Sequence, residues 1–79
     1  MKIKIYSTSW CGPCQNAKRL LNENGLSFEE IDIEKNNISR EDLFELTGGR
    51  TVPQIIINEK AIGGFEDILR YHREGKLTV

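Results

Sequence analysis

Two cysteines three positions apart, with a proline between them, dictate where the first helix of this chain begins. Cys11-Gly12-Pro13-Cys14 holds the only two cysteines in 79 residues. Proline has no N–H to donate and is tolerated in the first helical turn, so Pro13 sets a helix start at about Gly12. Residues three apart on a helix share a face, with side chains about 5–6 Å apart. A disulfide wants a Cα separation of about 5.5–6 Å. The two thiols can therefore make and break one bond. Cys11 falls at the helix N-terminus, where unpaired N–H groups and the macrodipole favour a thiolate. The stretch Trp10-Cys11-Gly12-Pro13-Cys14 reads as a redox dithiol.

That helix start orders what surrounds it. Lys2-Ile3-Lys4-Ile5-Tyr6 alternates polar and apolar residues and predicts a strand, with Ser7-Thr8-Ser9 as the loop that delivers the chain to Trp10. The helix runs to about Asn24, with Ala17, Leu20 and Leu21 as its apolar stripe and Asn24-Gly25 as its stop. Phe28 to Ile33 predicts a second strand, with Ile31 and Ile33 on one face. Strand, helix, strand in this order implies a parallel pair. Ser39 and Asp42 make a short form of the capping box for a second helix, to which Leu43, Phe44 and Leu46 would give an apolar face before Gly48-Gly49. Val52-Pro53-Gln54-Ile55-Ile56-Ile57 predicts a strand buried on both sides, with Pro53 at its start because proline cannot serve a central ladder. Asn58-Glu59 turns the chain into an antiparallel return over Lys60 to Ile62. Gly63-Gly64 breaks that strand, and Phe65, Ile68, Leu69 and His72 mark a last helix ending near Gly75, with Leu77 packed behind. The order β-α-β-α-β-β-α implies an α/β fold: a mixed four-stranded sheet with helices on both faces, one domain over residues 1–79.

Composition enters as a set of exclusions. Eleven basic against twelve acidic residues leave a formal charge of −1, which points to neither nucleic acid nor an anionic membrane. No window approaches a transmembrane helix and no signal-length apolar run opens the chain. The expectation is a cytoplasmic monomer, in a compartment too reducing for a lasting structural disulfide.

Taken together, the Cys-x-x-Cys at a helix start, Thr51-Val52-Pro53 before an apolar strand, and Gly63-Gly64 followed by Glu66-Asp67 resemble the bacterial dithiol glutaredoxins. The resemblance spans essentially the whole chain and implies the thioredoxin fold. It implies that Cys11 is the exposed nucleophile and Cys14 the resolving thiol, and that Pro53 is a cis-proline beside them. It further implies that glutathione is reductant and partner. Val52 would offer its backbone to glutathione or to an extended peptide, the N–H groups of Phe65 and Glu66 beside Gly64 would receive the γ-glutamyl carboxylate, and Asp67 would pair with its amino group. Thr51, Trp10 and Pro13 complete the expected binding set. The other expected partners are disulfide-bearing or glutathionylated proteins.

Three positions depart from that family pattern. Gly12-Pro13 behind Trp10 is the thioredoxin form, where dithiol glutaredoxins usually carry Pro-Tyr, so a tyrosine contact to glutathione is missing at Pro13. Thr8 stands where many have a basic residue for the glycine carboxylate, leaving Arg50 or Arg40 as substitutes. Thioredoxin lies near −270 mV and glutaredoxins near −200 to −230 mV, a gap of roughly 40–70 mV or about 2–3 kcal/mol for two electrons. The alternative reading is therefore a glutaredoxin-shaped redoxin recycled by thioredoxin reductase, such as an electron donor to ribonucleotide reductase. The glycine pair and Glu66-Asp67 favour glutathione; Trp10 and Gly12-Pro13 favour the alternative.

Blander readings are weaker. A structural disulfide closing so short a loop adds only about 2 kcal/mol. A zinc site lacks a second cysteine pair, and His72 falls on a helix face without an acid–base partner, so no metal is expected. An iron–sulfur cluster shared between two protomers and a redox-inert binding module complete the set.

Overall fold

The computed structural model describes residues 1–77. Strand β1 (Ile3–Ser7) alternates as expected, with Ile3 and Ile5 buried on one face and Tyr6 on the other. Helix α1 (Gly12–Glu23) starts on Cys11 as its N-cap, and the Asn24 side chain caps its far end by donating to Leu20 O at 2.8 Å. Strand β2 (Glu29–Asp32) returns the chain parallel to β1, pairing Lys4 with Glu29 and Ser7 with Asp32. Helix α2 (Arg40–Thr47) carries the reciprocal cap: Ser39 Oγ accepts from Asp42 N–H, and Asp42 Oδ2 accepts from Ser39 N–H. Strands β3 (Gln54–Ile57) and β4 (Lys60–Gly63) form a hairpin whose turn residues, Asn58 and Glu59, both take positive φ. Helix α3 (Phe65–Arg73) closes the order.

The sheet runs β2-β1-β3-β4, with β1 antiparallel to β3. It separates two apolar clusters. Ala17 and Leu21 of α1 and Ile68 of α3 pack with Ile3, Ile5, Ile55 and Ile57 on one face, joined by Leu26 and Leu77. Leu43 of α2 packs with Tyr6 and Ile33 on the other. This is the mixed α/β sheet that the element order implies, and the thioredoxin-like fold that the resemblance implies.

One expectation fails at α2. Of Leu43, Phe44 and Leu46 only Leu43 is buried. The helix is eight residues long and covers only part of its sheet face. Leu46 rims a shallow depression with Tyr6 and Ile56, and Phe44 turns outward beneath the Arg50 guanidinium, 4.1 Å from its ring centre.

A polar cross-link ties β2 to α1 and β1 near the dithiol end of the sheet. Glu30 Oε2 accepts from Lys18 Nζ at 2.8 Å and from Ser7 Oγ at 2.7 Å. The Lys18 hydrogen bond first, and the Ser7 one second, hold the Glu30 carboxyl below its ordinary value of 4.5, against the opposing effect of partial burial. A carboxyl with a depressed folded-state pKa contributes stability above its unfolded pKa and loses it as pH falls through the folded one. With Glu30 largely solvent-facing, the contribution is about 0.2–1 kcal/mol. Glu30→Gln is expected to lower the urea midpoint at neutral pH, and the difference from the parent is expected to shrink in acid, as the pH falls below 4.5 and through the lowered folded-state pKa. A gap of constant size at neutral pH and in acid would show that the carboxylate charge is not responsible.

Candidate active site

The site assembles where three chain segments meet at one end of the sheet. Cys11 and Cys14 are joined in a disulfide with a Cα separation of 5.2 Å, within the range such a bond requires. Cys14 is fully buried, and Cys11, expected to be exposed, is only 6% exposed because its sulfur is bonded to Cys14 and lies against Val52 O. Cys11 Sγ is the helix cap itself, accepting from the Cys14 N–H at 3.1 Å. A backbone donor and a helix N-terminus converge on one sulfur, so negative charge there is stabilised when the bond opens.

The second segment is Thr51-Val52-Pro53, which enters β3 through a cis Val52–Pro53 bond. Cys11 Sγ lies 3.6 Å from Val52 O. The buried Gln54 side chain holds this loop in shape by donating from Nε2 to Thr51 O at 2.9 Å. Gly49 leaves the room for it, since a Cβ there would overlap the Gln54 amide.

The third segment is the β4–α3 corner. Gly63 adopts φ +119°, a conformation that favours glycine, and a Cβ on it would strike the Asp67 carboxylate. Gly64 approaches Pro53 O, with 3.4 Å between that oxygen and the place of a Cβ. Asp67 Oδ2 accepts from Gly64 N–H at 3.0 Å, and Oδ1 accepts from Arg70 Nη1 at 3.3 Å. No side chain caps α3 from Gly64, so the positive end of the helix remains available to an anion.

Pro13, Thr51, Val52, Pro53, Gln54, Gly64, Phe65, Glu66 and Asp67 together line one cleft of about 410 Å³ beside the disulfide. Every expected binding residue except Trp10 stands in that lining. A larger cleft of about 600 Å³, between α1 and β2, shares no lining residue with it. Among the described residues, no three His, Cys, Asp or Glu side chains group as a metal site.

The family model for glutaredoxin matches residues 3–62. The chain belongs to the glutaredoxin family. A Pseudomonas aeruginosa glutaredoxin is 41% identical over 75 residues, covering 95% of this chain and 89% of that one. Glutaredoxin 3 of Escherichia coli is 39% identical over 75 residues, covering 95% and 90%. Among solved structures, a buckwheat glutaredoxin–glutathione complex superposes with a TM-score of 0.86 at 33% identity, over 95% of this chain and 71% of that one. An Escherichia coli glutaredoxin gives 0.71 at 30% identity, over 95% and 96%. A thiol–disulfide oxidoreductase role comes with the family, and the disulfide seen here is its redox centre.

Within that frame the departures acquire positions. Thr8 turns inward at 1% exposure, and its Oγ1 finds no hydrogen-bond partner among the described residues. The two arginines suggested as substitutes both belong to the α2 side. Arg50 pairs with Glu41 at 3.4 Å and covers Phe44, while Arg40 Nη1 donates to Arg50 O at 3.0 Å. Neither lines the cleft.

Two contributors escaped the sequence reading. Gln54 was only a strand residue there, and nothing in its type announces that its amide shapes the loop before it. Glu34 belongs to no motif, yet its Oε1 accepts from Trp10 Nε1 at 3.1 Å. Its signal was topological: it follows β2 at the same end of the sheet where β1 delivers the dithiol.

Proposed function

We propose that the protein is a glutathione-dependent oxidoreductase that reduces protein disulfides and glutathione mixed disulfides. The cleft beside Cys11 carries this reading, because it joins the Val52 backbone, whose carbonyl lies 3.6 Å from Cys11 Sγ, to a helix N-terminus whose cap residue Gly64 has no side chain. In the cycle, the Cys11 thiolate attacks a substrate sulfur, a mixed disulfide forms, and the departing sulfur leaves with the electron pair and takes a proton. Cys14 then attacks Cys11 Sγ, releasing the second substrate thiol and closing the internal disulfide. Two glutathione thiols reopen it, one by attack on Cys11 and one by attack on the resulting mixed disulfide, and leave as glutathione disulfide.

In the cleft a γ-glutamyl carboxylate meets the N–H groups of Phe65 and Glu66. An ammonium group pairs with Asp67, whose carboxylate has lone pairs to spare beyond its two present partners. The extended backbone lies along Val52. The buckwheat complex supports glutathione as the ligand of this build. The reading places the protein in the cytoplasm, where glutathione is reduced.

The thioredoxin-like Trp10-Cys11-Gly12-Pro13-Cys14 and the cation-free cleft lining favour a second reading, recycling by thioredoxin reductase. The deciding measurement supplies NADPH with either glutathione and glutathione reductase, or thioredoxin reductase, and follows NADPH oxidation by the oxidised protein. Efficient recycling through glutathione is expected. Recycling by thioredoxin reductase alone would overturn the proposal.

A further inference from the structure

Trp10 does not belong to the cleft. The cleft lies along the β3–β4 side of the sheet, whereas the Trp10 indole leans toward β2, the edge strand on the other side of β1. There its Nε1 donates to Glu34 Oε1 at 3.1 Å. The indole nonetheless stays 65% exposed, next in chain to the attacking cysteine. The cleft that runs from Val52 to Asp67 has room for a tripeptide, whereas a polypeptide bonded to Cys11 is long enough to cover the exposed Trp10 as well.

Glu34 is itself held. It stands in the turn that follows β2, where Asp32 Oδ1 accepts from the N–H groups of Glu34 at 2.9 Å and Lys35 at 3.1 Å. Asn36 closes the same turn by donating from Nδ2 to Asp32 O at 2.8 Å. The acceptor for the indole is thus delivered by a turn braced by its own hydrogen bonds, and the bond to the carboxylate is charge-assisted, so it orients the ring more firmly than a neutral acceptor would. A large aromatic side chain already held in one orientation loses less freedom when a partner covers it, which is how aromatic anchors strengthen docking.

We propose that Glu34 is a positioning residue for protein substrates: it locks Trp10 as an aromatic platform for the polypeptide that flanks a target disulfide. Small disulfides that fit the cleft do not use it. The proposal rests on disulfide exchange at Cys11 and not on the identity of the reductant, so the recycling experiment and this one fail separately.

The test mixes pre-reduced protein with insulin, as a protein disulfide, or with bis(2-hydroxyethyl) disulfide, as a small one. Glu34→Ala is expected to lower the second-order rate constant for insulin about three- to tenfold, the size expected from freeing one interfacial side chain. The constant for the small disulfide is expected to hold, which also shows that the dithiol and fold survive. Glu34→Gln keeps an acceptor oxygen and is expected to restore most of the insulin rate. Trp10 is the only tryptophan in the chain, so its fluorescence anisotropy reports the lock directly and is expected to fall in Glu34→Ala. In a Trp10→Ala background, Glu34→Ala is expected to change nothing further. An unchanged insulin rate, an equal fall for both disulfides, or a loss for insulin with unchanged anisotropy would each overturn the proposal.

Discussion

Cys11→Ser is expected to abolish turnover of every disulfide substrate, by at least about a thousandfold, the scale seen when other enzymes lose their nucleophile. A serine oxygen at this position meets the same Cys14 N–H and the same helix end. It still cannot form the sulfur–sulfur bond on which the exchange depends, and its hydroxyl is hardly ionised at neutral pH. Cys14→Ser separates the two steps. The first attack survives, so reduction of glutathione mixed disulfides is expected to continue, with glutathione itself removing the glutathionyl group from Cys11. Reduction of protein disulfides is expected to stall at the mixed disulfide, because nothing inside the fold can resolve it. The pair is read by turnover on each substrate and by mass spectrometry of the trapped Cys11 adduct. Protein-disulfide reduction that persists in Cys14→Ser would remove the resolving role from that residue.

The largest effect on stability is expected from Leu21→Ala. Leu21 is fully buried on α1, within the cluster that joins α1 and α3 to the sheet. Alanine is the better helix former, so the helix itself loses nothing and the loss is one of packing. A buried leucine truncated to alanine costs about 2–5 kcal/mol, depending on how far the surroundings close over the cavity. A chain of this length has a total stability of roughly 4–12 kcal/mol, so this one side chain carries a large share of it. At about 4–8 °C per kcal/mol for so small a domain, the melting temperature is expected to fall by about 8 °C or more. Urea unfolding at neutral pH checks the figure. A loss below about 1 kcal/mol would mean that α1 is not seated on the sheet as described.

How legible the chain was depends on the range of the forces involved. The α1 start was readable from Pro13, which acts on its own backbone, and the α2 start from Ser39 and Asp42, a contact across three residues. The β3–β4 hairpin was readable from Asn58-Glu59 between two β-like runs. The face of α2 was not, because whether Phe44 and Leu46 are covered depends on how much sheet an eight-residue helix can reach. The cleft was legible in part. Thr51-Val52-Pro53 and Gly64 to Asp67 were named through a family likeness, while Gln54 and Glu34 act through hydrogen bonds to residues that only the fold brings near.

By itself the sequence determined the chemistry. Two thiols three residues apart at a helix start can exchange one disulfide, and that follows from local geometry whatever surrounds them. The tertiary structure decided what the dithiol meets on each side. Placing β1 in the middle of the sheet sets the cleft toward β3 and β4 and the Trp10–Glu34 pair toward β2. Strand order arises from long-range packing of two apolar faces, for which no short stretch of residues carries the information.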